Sequence, residues 1–228
     1  MLSKAATVSF DALRLLRMIV AAASKHSTGN CTIGFHFKNR LGENDLSIEP
    51  MKPRVATVWL GGCSGCHMSF LDMDERLIEL ADKMDLVYSP IIDVKEFPRD
   101  VDVTLVEGAV ANVEHEEFVH LIRRNSRYVV SFGDCAVTGN VTAMRNSQKV
   151  ERVLNRAYVE LADVTPQIPR EYQTIAELMP QAQPIHELIK VDAFLHGCPP
   201  TADQIWFAMN ELLEGRMPAF SHVYLRYG

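Results

Sequence analysis

The chain has 228 residues, 47% hydrophobic and 23% charged, which predicts one substantial globular domain with room for a short appendage. Its formal net charge of −6 comes without a basic stripe of interleaved aromatic residues, and no early apolar run is long enough to cross a bilayer. We therefore expect no nucleic-acid partner and no membrane span. Five scattered cysteines do not form a disulfide scaffold, so we expect reduced thiols in a cytoplasmic protein.

The first fifty residues differ in character from the rest of the chain. Residues 10–24 have the periodicity of one amphipathic helix, and residues 25–50 are mostly polar. We predict that residues 1–50 are an N-terminal extension, weakly structured or accessory, and that residues 51–228 form the main domain. Cys31 lies in the extension without an evident partner and is interpreted as a bystander thiol.

From residue 51 onward, short apolar runs alternate with amphipathic patterns. Five runs are predicted as strands, at residues 55–60, 85–92, 101–106, 128–132 and 190–195. Helices are predicted over residues 70–84 and 113–125, and a capping box of Thr201 and Gln204 begins another. Four prolines mark a looser region over residues 166–184. This alternation is typical of a parallel sheet covered on both faces, so the predicted fold is α/β and doubly wound.

Four cysteines directly follow predicted strands. Cys63 and Cys66 come after the first strand, Cys135 after the fourth and Cys198 after the fifth. Because the carboxyl ends of parallel strands meet at one edge of a sheet, we expect these thiols to converge. Four thiolates suit zinc or an iron–sulfur cluster, and a Cys-x-x-Cys pair also suits a thioredoxin-like redox centre. Structural zinc sites use two close pairs, so one pair with two distant single cysteines favours the cluster.

Neighbouring residues support a site at this edge. Glycines at positions 61, 62, 65, 133 and 197 allow the backbone to wrap closely around a bulky inorganic core. Glu107 ends the third strand on the same edge, and its carboxylate has two interpretations: a hydrogen-bonded structural group or a group that handles protons. His67 and the other isolated histidines are interpreted as surface or packing residues.

Three segments around the cysteines are recognisable. They read WLGGCSGCHMSFLDMDE at residues 59–75, SFGDCAVTGN at residues 131–140 and GCPP at residues 197–200. They resemble the cluster motifs of small subunits of bidirectional NAD(P)-linked nickel–iron hydrogenases. The resemblance implies a flavodoxin-like fold with one proximal 4Fe–4S cluster, held by Cys63, Cys66, Cys135 and Cys198. It also implies two partners, a large subunit that holds the nickel–iron centre and a diaphorase.

Differences from other relatives narrow the assignment. The related cluster subunit of respiratory complex I carries two adjacent cysteines, whereas Ser64 and Gly65 separate the pair here, as in hydrogenases. Exported hydrogenase small subunits carry two further clusters and a twin-arginine signal. This chain has no spare cysteine after Cys198 and no adjacent arginine pair near its start. We therefore expect one cluster in a cytoplasmic complex.

A flavodoxin-like fold also suggests a flavin. The loop that would hold the phosphate of FMN carries Cys63 and Cys66 instead, so we do not expect this cofactor. Asn140, Thr142 and Asn146 are predicted to cap, to pack inside or to contact the partner subunit.

Two other functional classes stay open at this point. One is a complex-I-like quinone-reductase cluster subunit, and the other is a non-redox zinc-binding scaffold. For a hydrogenase subunit, the sequence leaves the final electron acceptor open among NAD, NADP, ferredoxin and a bifurcating combination.

Overall fold

The computed structural model of the protein describes residues 51–171 and 174–219. The predicted N-terminal extension over residues 1–50, with Cys31, lies outside these described residues and stays a prediction. Within them, the strands are β1 (Arg54–Trp59), β2 (Asp85–Tyr88), β3 (Val101–Glu107), β4 (Val110–Asn112), β5 (Ser126–Phe132), β6 (Leu178–Gln183) and β7 (Ala193–Leu195).

Five of the strands form one parallel sheet. Their order is β2-β1-β3-β5-β7, and each neighbouring pair runs in the same direction. Counted in chain order, these five strands follow the 2-1-3-4-5 order of flavodoxin-like sheets. The central strand β3 is buried at every position except Asp102, as expected for a strand covered on both faces. The predicted flavodoxin-like, doubly wound α/β fold is confirmed.

The helices connect the strands of the sheet. They are α1 (Gly65–Leu71), α2 (Arg76–Lys83), α3 (Val113–Asn125), α4 (Asp134–Thr138), α5 (Asn140–Ala143), α6 (Val150–Asn155) and α7 (Ala202–Leu213). Short 3₁₀ turns cover Met144–Ser147 and Ile185–Glu187, and a π-helical turn covers Arg156–Glu160. No helix in the described part of the chain has the length and apolarity that crossing a membrane requires.

Both faces of the sheet are covered by helices. On one face, Val119 and Ile122 of α3 pack in a core cluster with Val129 of β5. Side chains alternate along a strand, so Phe132, three residues further, faces the opposite side. There its ring contacts the ring of His67 in α1 edge to face, with 6.1 Å between the centroids. Helix α1 in turn contacts α7, which completes the second layer.

Several predicted elements differ in extent from those observed. The single helix predicted over residues 70–84 is two helices, because Asp74 between them adopts a left-handed conformation with φ 50° that a continuous helix cannot contain. The second strand ends at Tyr88 rather than residue 92, since Pro90 has no N–H to continue the ladder. The predicted helix over residues 113–125 is confirmed, as is the capping box of Thr201 and Gln204.

A second, two-stranded sheet was not predicted. Strand β4 pairs with β6 in antiparallel orientation, and β6 lies in the proline-containing region interpreted as looser. Gly61 also forms an antiparallel bridge with Ala109, just before β4. The small sheet therefore lies against the loop that follows β1, next to the carboxyl edge of the main sheet.

Candidate functional site

Four thiols meet at the carboxyl edge of the main sheet. Cys63 lies in the loop after β1, Cys66 in the first turn of α1, Cys135 in the first turn of α4 and Cys198 three residues after β7. The thiols of Cys63, Cys135 and Cys198 are all near enough to Cys66 to interact with it electrostatically. All four are free thiols; Cys66 and Cys135 are buried, and the other two are exposed. The site is therefore open to the surface on one side.

Two glycines let the ligand loops approach one another. Gly133 follows β5 with φ 81° and ψ 163°, a conformation that is essentially restricted to glycine, and a β-carbon there would overlap Cys66 Sγ. The Gly197 N–H donates to Asp134 Oδ1 at 2.8 Å, and the Asp134 N–H donates to the Gly197 carbonyl at 2.9 Å. This reciprocal pair fixes the loop after β5 against the loop after β7.

The protonation of the thiols reflects their surroundings. Burial raises the pKa of Cys66 far above its ordinary value, and the Glu107 carboxylate and the three other thiols raise it further. Burial also raises the pKa of Cys135, with smaller contributions from Cys198 and Cys63 and with partial relief from the Val141 N–H. Four thiolates gathered this closely repel one another, so a bound cationic centre would stabilise them.

Glu107 lies beneath the helix that carries Cys66. It ends β3, is 1% exposed, and accepts hydrogen bonds from the N–H groups of Cys66 at 3.3 Å and His67 at 3.0 Å. The His67 Nδ1 atom also pairs with the Glu107 Oε2 atom, while Nε2 of the same ring is buried without a hydrogen-bond partner. The carboxylate therefore holds the start of α1 in place. This contact corresponds to the first of the two interpretations of Glu107, a hydrogen-bonded structural group.

The segment after Cys135 also reaches the thiols. The Asn140 side-chain amide donates to Cys198 Sγ at 3.3 Å, and the Thr142 hydroxyl donates to the Gly61 carbonyl at 2.7 Å. The Asn146 side chain makes two hydrogen bonds with the backbone of Ala182 in β6, both at 2.8 Å. Asn146 is thus a structural anchor, while the Thr142 side chain also hydrogen-bonds to the Cys135 thiol. The contact between Asn140 and a thiol was missed, since two residues 58 positions apart give no local signal.

Comparison with known proteins places the chain in a family. Residues 63–212, most of the chain and inclusive of all four cysteines, match the family described as NADH ubiquinone oxidoreductase, 20 Kd subunit. The chain belongs to this family. The cluster motifs predict a resemblance to hydrogenase small subunits, and the individual relatives test this prediction.

Three relatives of the chain are subunits of hydrogenases. The chain is 36% identical to the delta subunit of the NAD-reducing hydrogenase HoxS of Cupriavidus necator, over 78% of this chain and 92% of that subunit. It is 40% identical to one subunit of the F420-non-reducing hydrogenase vhu of Methanocaldococcus jannaschii, over 72% of this chain but only 57% of that subunit. A relative from Archaeoglobus profundus, 30% identical, is named an iron–sulfur subunit.

A solved structure agrees with these relatives. One chain of an NAD+-reducing NiFe-hydrogenase, crystallised in the H2-reduced state, is 41% identical and superposes with a TM-score of 0.74. The match covers 78% of this chain and 99% of that chain. The predicted resemblance to small subunits of NAD-linked nickel–iron hydrogenases is confirmed, and the relatives are parts of oxidoreductase complexes.

The donor atoms at the site bear on what it can hold. Within residues 51–171 and 174–219, no three side chains of the His, Cys, Asp or Glu type are gathered closely enough to hold a single metal ion. Four sulfurs around one zinc ion would lie about 3.8 Å apart, given zinc–sulfur bonds of about 2.3 Å. A cluster with its own sulfide ions is a larger core, and its four cysteine ligands stand further apart. Four cysteine thiols at one sheet edge are the donor type that such a cluster takes.

Proposed function

We propose that the chain is the electron-transfer small subunit of a nickel–iron hydrogenase. In this proposal it carries electrons between the active site of a large subunit and a diaphorase partner through one 4Fe–4S cluster. The observation that carries the proposal is the convergence of Cys63, Cys66, Cys135 and Cys198 from three strand ends on one open edge of the sheet. The relatives described above support the same assignment.

The four cysteines fit an iron–sulfur cluster chemically. Soft thiolate ligands in sets of four hold 4Fe–4S clusters, and such a group supplies one-electron transfer when bound. The chain's own part is to hold the ligands in position and to keep water from the inner side. The glycine at position 133 lets Cys66 lie against the end of β5, and burial of Cys66 and Cys135 closes that side.

We propose that Glu107 is not a ligand of the cluster. It orients the ligand loop and affects the electrostatics of the site instead. Its buried carboxylate accepts the N–H of Cys66, so it orients the ligand loop and places a carboxylate beside the thiols. Negative charge near a cluster disfavours the addition of an electron. If Glu107 also handled protons, they would have to reach it through His67. That residue is only 6% exposed.

The sheet edge that carries the four thiols has an apolar surface that a partner subunit would cover. Large apolar side chains surround the ligand loops and stay exposed: Trp59 by 47%, Met68 by 54%, Val141 by 51% and Met144 by 74%. Exposed apolar groups that cluster in this way mark protein–protein contacts. We propose that the large subunit covers them, which would bring its active centre near the cluster.

The remaining assignments follow from this proposal. We propose NAD+ as the acceptor of the whole complex, because two of the relatives belong to NAD-reducing enzymes. We propose a cytoplasmic location, because thiols stay reduced there and can serve as cluster ligands. We also propose that residues 1–50 are an extension that cluster binding does not need. A chain that begins at Met51 should then bind its cluster and pair with the large subunit, and loss of either property would move the domain boundary.

The decisive experiment is anaerobic purification of the native complex. We expect a nickel-containing subunit to copurify, with about four irons and four acid-labile sulfides per small subunit. Cys198→Ser should remove or convert the cluster and reduce hydrogen-dependent reduction of the acceptor, whereas the control Cys31→Ser should change neither. Stoichiometric zinc without labile sulfide would refute the proposal in favour of a zinc scaffold.

A further inference from the structure

Asn140 is a side-chain hydrogen-bond donor to one of the four thiols. Its amide Nδ2 lies 3.3 Å from Cys198 Sγ, and an amide nitrogen can only donate in such a contact. Asn140 has φ 33°, in the left-handed region, which asparagine tolerates better than most residues. Asn140 is the first residue of α5, and its side chain reaches Cys198 in the loop after β7.

The segment that carries Asn140 is anchored on both sides. The Thr142 hydroxyl donates to the carbonyl of Gly61 in the first ligand loop, and Asn146 is paired with the backbone of β6. The Arg145 guanidinium donates to the carbonyls of Ala111 and Met179 at 3.0 and 2.9 Å. The amide of Asn140 is therefore held in place by its neighbours, so its donor is already oriented before any change in the charge of the site.

Two other described donors to the thiols belong to the backbone, and the Thr142 side chain hydrogen-bonds to the Cys135 thiol. The Gly65 N–H donates to Cys63 Sγ at 3.4 Å, and the Val141 N–H lowers the pKa of the Cys135 thiol against the larger effect of burial. A side-chain substitution removes neither of these groups. Cys66 faces the Glu107 carboxylate, which disfavours negative charge there. Asn140 thus contributes a stabilisation that evolution or mutagenesis can change without altering a ligand.

We propose that Asn140 tunes the reduction potential of the cluster by donating a hydrogen bond to the Cys198 thiolate. This inference rests on the proposed function, since it presumes that the four thiols hold a cluster. One-electron reduction makes the cluster and its thiolates more negative, and no proton is needed to balance the step. A donor to a ligand sulfur stabilises the more negative state, so it raises the potential.

The test is a redox titration of the purified hydrogenase complex, followed by electron paramagnetic resonance of the cluster. Asn140→Gly removes the amide and accepts the left-handed backbone, and Asn140→Asp keeps the size but replaces the donor with an acceptor. We expect the ratio of reduced to oxidised cluster at fixed potential to fall roughly fivefold in Asn140→Gly. That ratio corresponds to a shift of about 40 mV downward for a one-electron couple. Asn140→Asp should shift the potential at least as far.

The control is Asn155→Gly, in which the lost amide donates to Glu160 rather than to a thiol. Its potential should equal that of the unmodified complex. Equal potentials in Asn140→Asp and the unmodified complex, with the cluster present in both, would overturn the role of Asn140. A complex whose unmodified form lacks iron and labile sulfide would instead refute the cluster itself, so the two failures are distinguishable.

Discussion

Replacing Gly133 with alanine should break the site by crowding Cys66. Gly133 has φ 81° and ψ 163°, and forcing alanine into that region costs about 1–3 kcal/mol. The added carbon would overlap Cys66 Sγ, while it would also lie 3.6 Å from Cys66 Cβ and 3.5 Å from the Gly197 carbonyl oxygen. The backbone around Gly133 is fixed by hydrogen bonds from its own N–H to the Leu195 carbonyl and from the Asp134 N–H to the Gly197 carbonyl. The sulfur must therefore move, and a displaced ligand should lower cluster occupancy.

Gly215→Ala is the matched control for this change. Gly215 also has a positive φ, 76°, but nothing lies within 4 Å of the β-carbon that alanine would add. It should cost only the backbone strain, about 1–2 kcal/mol in denaturant unfolding, and should keep a full cluster. We expect Gly133→Ala to lose more unfolding free energy and most of its iron and labile sulfide. A Gly133→Ala complex with the stability and iron content of Gly215→Ala would refute this reasoning.

Three further changes test individual contacts. Glu107→Gln keeps the shape but removes the carboxylate that accepts two N–H groups, so we expect a higher cluster potential in redox titration and about 1–3 kcal/mol less stability in urea unfolding. Thr201→Ala should cost about 1 kcal/mol, since it removes the cap of α7, and Thr201→Ser should restore most of it. Burial raises the pKa of Asp192, but the Arg123 ion pair and the Val129 N–H outweigh it, so the net pKa is lowered. The stabilisation from Asp192 is then present above its unfolded-state pKa and is lost as the pH falls through its folded-state pKa. Asp192→Asn should accordingly be less stable at neutral pH, and the difference from the unmodified protein should shrink in acid; a constant difference would contradict this assignment.

The main sheet was predictable because its strands carry their own signal. Strand β3, buried at every position except Asp102, is a mostly apolar run that ends at a charged residue followed by a glycine, and the sequence marks both ends. The small sheet gave no such signal. Strand β4 has three residues, and β6 contains Pro180, so each is recognisable only through its pairing with the other across the fold.

The candidate site was also predictable only in part. The cysteines and Glu107 could be located from the sequence, because each directly follows a predicted strand and parallel strands end at one edge. The partner of Glu107 could not be predicted, because His67 resembles any isolated histidine in the sequence and only the fold brings its ring against the carboxylate. The donor to Cys198 also depends on a side-chain rotamer and a left-handed backbone residue, neither of which periodicity can report.

The position of β7 affects how the site is built during synthesis. It is the last strand of the sheet to be made, and it occupies the outer edge, next to β5. Because a nascent chain folds from its N-terminal side, the other four strands can pair while Cys198 is still within the ribosome. At that stage Cys63, Cys66 and Cys135 already lie beyond the ends of paired strands, together with Glu107 at the end of β3. Docking of β7 then adds Cys198, so the full set of four thiols forms only when the last strand of the sheet is in place.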